Sequence, residues 1–281
     1  MTRTLIVTAD DVGLHPAITA GAIAAHVGGI VTACSVVAGG AALDDAVNRL
    51  AAHPRLAVGI HLTLTGAPPV ADPRTVHSLL GSDGNLLGSS AAFLARWARG
   101  GIRLDDVERE LRAQLDRLQG AGLRIVHANG HQHLHVLPGV FDRVLRLCLA
   151  HGIGYVRMPV VGPTRGVPLP RRLALGALSV FASRARASTR ERLLTNDATL
   201  GIPCAGSLSA TAIIEALPGI RGATELVAHP GVDDDALAAT FGWGYRWERE
   251  TAALCDPAVR EAIDRNGIPL RSPADLIGNS E

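Results

Sequence analysis

His127-Ala128-Asn129-Gly130-His131-Gln132-His133-Leu134-His135 holds four of the eleven histidines of a 281-residue chain. Neutral imidazole is the commonest protein ligand for metals and a common proton carrier. That density in nine positions therefore points to a metal or catalytic site. The blander alternative is a polar surface loop. An expression tag does not suit an internal run of irregular spacing. Residues 123–126 just before it are largely apolar and read as a short buried strand, and Pro138-Gly139 and a helical pattern follow. The run then falls at the C-terminal end of a strand, where barrels and open α/β sheets place their chemistry. Extended, it would put His131, His133 and His135 on one face, because side chains alternate along a strand.

Working outward, short apolar runs alternate with helical patterns. Strands are expected over 5–9, 30–38, 56–64, 123–126, 155–159, 224–228 and 268–270. Helices are expected over 16–27, 41–52, 105–119, 140–151, 207–217 and 256–265. Val107, Leu111, Leu115 and Leu118 recur at helical spacing, and Pro16 suits a first helical turn. Such alternation predicts a parallel sheet. About seven strands fit a distorted or seven-stranded (β/α) barrel, α/β in class, as a single domain over 1–281. An open doubly wound sheet is the other arrangement. The Gly-, Pro- and Ser-rich stretch 65–90 reads as a long lid-like loop, and residues 160–192 break the rhythm as a basic and apolar insertion.

Composition narrows the function. A formal charge of +1 with 47% hydrophobic residues suits a globular chain and argues against a generic nucleic-acid binder. All 27 basic residues are arginine, which excludes Schiff-base chemistry and a P-loop lysine. Cys34, Cys148, Cys204 and Cys255 are far apart and form no CxxC pair; Cys34 and Cys148 read as buried free thiols. The chain opens directly on a strand, and no apolar run reaches the ~18 residues that span a membrane. A cytoplasmic protein is the expectation, and a homodimer is one assembly the sequence allows.

Four polar sites follow expected strands: Asp10-Asp11, His61, the 127–135 run, and His229. Each alone has an ordinary explanation as a helix cap, a core histidine or a turn. In a barrel, however, these strand ends converge on one face. One aspartate with two histidines is a mixed O/N ligand set that leaves positions open for water and substrate. A second carboxylate could then act as general base and a further histidine as general acid. That is equipment for hydrolysing an amide or ester.

Five segments carry a resemblance. They are Thr8-Ala9-Asp10-Asp11-Val12-Gly13-Leu14, Gly59-Ile60-His61-Leu62-Thr63-Leu64-Thr65, His131-Gln132-His133-Leu134-His135-Val136-Leu137-Pro138-Gly139, Val156-Arg157-Met158-Pro159, and Glu225-Leu226-Val227-Ala228-His229-Pro230-Gly231. In order, and over most of the chain, they resemble the YdjC-like carbohydrate deacetylases. The resemblance implies a (β/α) barrel that removes acetyl groups from N-acetylated sugars with one divalent metal. By motif position, Asp11, His61 and His131 would bind the metal, Asp10 would be the general base, and His229 the general acid. Arg157 would support the pocket, and His133 and His135 would lie in or behind it. Magnesium or zinc leads among the ions, with manganese, cobalt or nickel open.

Many members carry aspartate where this chain has Asn129, so a carboxylate behind a metal-ligand histidine is replaced by an amide. Asn129, together with Thr195-Asn196-Asp197, looks like the branch associated with hopanoid biosynthesis, which implies a lipid-linked amino sugar. Residues 165–192 carry seven arginines (165, 171, 172, 184, 186, 190, 192) against Glu191, around the apolar run 173–181. Such a segment either packs on the barrel with a solvated charged end or makes peripheral membrane contact. Trp243, Tyr245 and Trp247 could stack on a sugar ring or anchor a loop. The competing functions are a metal-dependent phosphoesterase and a non-catalytic sugar-binding protein. A glycosidase is disfavoured, because adjacent Asp10 and Asp11 cannot flank a glycosidic bond.

Overall fold

A computed structural model describes residues 3–162, 167–189 and 192–278. Seven parallel strands form one sheet: β1 (Thr4–Val12), β2 (Ala33–Val36), β3 (Ala57–Leu62), β4 (His127–Gly130), β5 (Tyr155–Val156), β6 (Ala198–Leu200) and β7 (Ala223–Ala228). Their order is β5-β4-β3-β2-β1-β7-β6. Helices pack around it: α1 (Pro16–Val27), α2 (Leu43–Leu50), α3 (Ser90–Ala98), α4 (Leu104–Gly120), α5 (Val140–Ala150), α6 (Leu169–Thr189), α7 (Ala210–Ala216), α8 (Asp234–Thr240), α9 (Trp247–Cys255), α10 (Pro257–Arg265) and α11 (Pro273–Gly278).

The sheet curls until its edges nearly meet. Thr199 N–H donates to Val160 C=O at 2.8 Å, and Leu194 N–H to Gly154 C=O at 2.9 Å. Between these two contacts the side chain of Asn196 replaces a strand neighbour. Its Oδ1 accepts from Met158 N–H and its Nδ2 donates to Met158 C=O, both at 2.7 Å. A primary amide offers both a donor and an acceptor in a plane, so it can satisfy a buried strand edge that would otherwise carry orphan polar groups. The expected distorted seven-stranded barrel is therefore the fold.

Along the strands, one set of residues faces the helices and the alternate set faces the barrel interior. Leu5, Val7, Ala9, Cys34, Val36, Ile60, Ala128, Val156, Leu226 and Ala228 belong to the large apolar core between sheet and helices. Burial pushes the Cys34 and Cys148 thiols up to about 12, as expected of inert core cysteines. The alternate residues Thr8, Asp10, Ser35, His61, His127, Asn129, Tyr155, Arg157 and Glu225 are buried and polar. The interior is a polar column where many barrels carry branched apolar layers. It is narrow: a Cβ on Gly59 would lie 2.3 Å from the His127 ring, so only glycine fits there.

Three expectations need correction. The fourth strand is not 123–126 but the first part of the histidine run itself, His127–Gly130. Only Val126 of the apolar stretch reaches the sheet, donating to Val58 C=O. His131, His133 and His135 do not share an extended face, because Gln132 and His133 adopt left-handed φ angles of 53° and 59° and turn the chain. Residues 268–270 contribute a single bridge, Leu5 to Leu270, and the seventh strand is β6. Residues 66–90 are an ordered excursion: Val76, Leu79, Leu86 and Leu87 are buried in the core. Glu110 accepts from Val70 and Ala71 N–H, and Asp106 from Ser78 N–H. The insertion is chiefly the long helix α6, tied to the barrel by the Arg186–Asp197 ion pair. Arg165, Arg190 and Glu191 lie outside the described residues.

Candidate metal centre and active site

β1 ends irregularly. Its pairing with β2 slips between Ala9 and Val12, and Asp11 has φ 66°. Neighbouring residues on a regular strand point to opposite faces; a bulge breaks that rule and re-aims a side chain. Asp10 and Asp11 thus both line one cavity of about 300 Å3, together with His61, His131, His133 and His229. The left-handed conformation of Asp11, Gln132 and His133 costs on the order of 1 kcal/mol or more each, strain that concentrates at functional sites.

Asp11, His61 and His131 each offer one ligand atom, all within 4.8 Å of one another. Asp11 Oδ1 lies 3.2 Å from His61 Nε2 and 3.0 Å from His131 Nδ1. This is the only such group of three among the described residues. The residues fit a divalent ion: one oxygen and two nitrogens converge, and the far side of His61 is prepared for coordination. His61 Nδ1 lies 2.6 Å from Asn129 Oδ1, and Asn129 Nδ2 donates to Asp10 Oδ1 at 2.9 Å. Because the Asn129 amide must donate to a carboxylate at one end, its oxygen faces His61. His61 then carries its proton on Nδ1 and keeps Nε2 as a lone pair. An aspartate at 129 would instead have put two carboxylates in contact.

Asp10 is held on all sides. Its Oδ1 accepts from Ser35 Oγ at 2.8 Å, Asn129 Nδ2 and Arg157 Nη2, while Oδ2 meets only Arg157 Nη1. Burial alone would raise its carboxyl, but the charge and hydrogen bonds of Arg157, with His61 and His229 nearby, hold it well below the usual carboxylate range. Asp11 is likewise held low, against burial, by His131 and His61. Burial opposes a charge on His61, but Asp10 and Asp11 outweigh it and raise its pKa. Burial and the neighbouring Arg157 and His135 keep His133 neutral.

The column continues beneath. Glu225 accepts from Arg157 Nε at 2.8 Å, Thr8 Oγ1 at 2.7 Å and Tyr155 OH at 2.8 Å. His135 Nε2 sits 2.8 Å from Arg157 C=O, beneath the cavity rather than in its wall. Glu225, Tyr155 and Ser35 were not singled out from the sequence. The signal was there in principle: a charged or hydroxyl residue inside a wholly buried strand must have a partner.

His229 follows β7. Its backbone N–H donates to Glu250 at 2.6 Å, and its Nδ1 lies 3.9 Å from the same carboxylate. Glu250 is fully buried and also accepts from Leu208 N–H, so α9 fixes the chain that carries His229. The turn after it is tight: a Cβ on Gly21 would meet Gly231 at 2.3 Å. Over the mouth lies an aromatic wall. Trp243 leans on the His131 ring with centroids 5.8 Å apart, and Tyr245 meets His229 at 5.2 Å. Phe241 stacks on Trp243 at 4.6 Å.

Every residue singled out for the site thus lies in one region. Asp10, Asp11, His61, His131, His133, His229 and Trp243 line the cavity, with Asn129, Arg157 and His135 behind. A larger cavity, about 1150 Å3, opens at the other end of the barrel near His26, His53 and Arg124. No group of candidate metal ligands gathers there among the described residues.

Residues 4–265 match the family model described as YdjC-like protein. The human carbohydrate deacetylase is 33% identical over 97% of this chain and 90% of its own length. The Geobacillus stearothermophilus carbohydrate deacetylase is 29% identical over 96% of each. A crystal structure from Enterococcus faecalis, described as a putative cellobiose-phosphate cleavage protein, shares the fold with a TM-score of 0.81. It is 24% identical, over 98% of this chain and 99% of that one. The resemblance read from the five motifs therefore holds, and the chain belongs to the YdjC-like family.

Proposed function

We propose that the protein is a metal-dependent carbohydrate deacetylase. It hydrolyses the amide of an N-acetylated amino sugar, free or lipid-linked as in a hopanoid glycoside, to acetate and a free amine. The observation that carries this reading is the convergence of Asp11, His61 and His131 in one cavity with Asp10 and His229. The names of the full-length relatives point the same way. Four free cysteines suit a reducing, cytoplasmic setting.

Asp11 Oδ1, His61 Nε2 and His131 Nδ1 would hold the ion, with magnesium and zinc the leading identities. Once bound, such an ion polarises the amide carbonyl and makes water more acidic. Asp10 stays ionised because Arg157 faces it, and its Oδ2, with one contact, is the oxygen free to take a proton from water. A base this weak serves only where the water is already acidified, so the proposal needs the ion's partners intact. His229 gives a proton to the departing nitrogen, on a chain segment fixed by Glu250. Trp243 and Tyr245 line the cavity and are the aromatic rings that a bound sugar would meet.

A phosphoesterase would be expected to gather more carboxylates and more than one ion. Acetate and phosphate release, from N-acetylglucosamine oligosaccharides and sugar phosphates respectively, separate the two. The proposal requires acetate, abolished by EDTA; phosphate without acetate would refute it.

A further inference from the structure

Helix α6 (Leu169–Thr189) has two faces of different character. Leu175, Ala182, Ala185 and Thr189 are buried against the barrel. Leu169, Leu173 and Val180 point away, at 56%, 66% and 50% exposure. They are three of the seven exposed large hydrophobic residues on the described surface, so the apolar character is concentrated here. At 100° per residue the three fall within an arc of about 40° on the helix. Arg172 and Arg184 flank that stripe, one on each side, and Arg171 and Arg186 lie elsewhere on the same helix. None of its 21 residues is acidic, in a chain whose whole formal charge is +1.

An apolar stripe edged by arginine is the pattern of a helix lying in a lipid interface. The helix does not cross a bilayer; no described helix is long and apolar enough to do so. A second copy of the chain is a poor occupant. A twofold contact would set the same face against itself and bring arginine to arginine with no acid on the helix to answer. Negative lipid headgroups complement it. The helix also packs behind one wall of the cavity that holds Asp11, His61 and His131. Leu175 packs with Ile202 and Val227, which line that cavity, and Arg171 reaches Ile202 C=O at 3.5 Å.

We propose that α6 docks the protein on an anionic lipid surface through Leu169, Leu173, Val180, Arg172 and Arg184. The docking does not depend on the deacetylase reading, since binding to vesicles needs no turnover. The test is co-sedimentation of the full chain with phosphatidylglycerol–phosphatidylcholine vesicles and with phosphatidylcholine alone, at low and high salt. Binding is expected only with the anionic vesicles and weakens with salt. Arg172→Gln/Arg184→Gln should lower affinity at least about tenfold, and Leu173→Glu/Val180→Glu should abolish binding. Both variants should keep the wild-type thermal midpoint, because all four side chains are exposed. Absence of binding, or binding that both variants retain, overturns the proposal. So does a dimer in sedimentation velocity that Leu173→Glu/Val180→Glu dissociates, which would assign the stripe to a second copy.

Discussion

The polar column inside the barrel has two halves built from similar residues and satisfied in opposite ways. In the lower half, Glu225 accepts from Arg157, Thr8 and Tyr155, and no carboxylate oxygen is left without a donor. In the upper half, Asp11 shares one oxygen between two histidines, and His133 and His229 each keep a buried Nδ1 without a hydrogen-bond partner. Buried polar atoms normally find partners, and a cluster that does not is reserved for something else. The carboxylate beneath the cavity is closed by donors, whereas the carboxylate and imidazoles that line the cavity keep open valences facing it; His135 Nδ1, behind the wall, is the exception.

Arg157 joins the halves, so its loss should break both. Arg157→Met strands two buried carboxylates and is expected to cost about 3–5 kcal/mol, seen as a thermal midpoint lower by about 10 °C with activity lost. A midpoint within a degree of wild type would show that the lower half is not structural. His229→Ala should separate the halves: turnover falls by about 10²–10⁴, while the midpoint hardly moves. Unchanged turnover in that variant would remove His229 from the proposed role. Asn129→Leu removes the shorter of two contacts at His61 Nδ1, leaving Ser35 Oγ at 3.0 Å, and divalent-metal affinity should fall about tenfold by calorimetric titration. Equal affinity would mean that Asn129 does not orient His61.

The smallest effect is a pH dependence of the lower half. Burial foremost lowers His127 to about 4, from an ordinary value of 6.5. The unfolded chain therefore binds a proton at a pH where the folded chain does not. The stability from this group is complete above about pH 6.5 and is lost as pH falls toward 4. The unfolding free energy from denaturant titration should drop by about 1 kcal/mol between pH 7 and pH 5.5 from His127 alone. His127→Gln should flatten that slope; a slope unchanged by the substitution would assign it to other groups.

Much of this was readable in the residues. The alternation of apolar and helical runs reported the barrel, and the polar residues at strand ends reported the face on which they meet. What stayed hidden depended on backbone geometry or on partners far along the chain. No periodicity announces the left-handed turn at Gln132 and His133 that sends His131 and His135 in different directions. β6 is three residues long, and the closure of the barrel beside it runs through the Asn196 side chain, which a pattern of hydrophobicity does not register. The partners of Glu225 are invisible along the strand, because its donors are Thr8 of β1, Tyr155 of β5 and Arg157 just after β5. Asn129 was visible as a departure from the usual aspartate, but its bridging of His61 and Asp10 needed coordinates.

The open half of the column is proposed to hold a single metal ion. Titrating a divalent ion into metal-free protein, with stoichiometry read by calorimetry and elemental analysis, tests it most directly. One ion per chain is expected, lost in Asp11→Asn and His61→Ala and retained in Tyr155→Phe. Two or more tightly held ions, or one ion that survives both ligand substitutions, would contradict it.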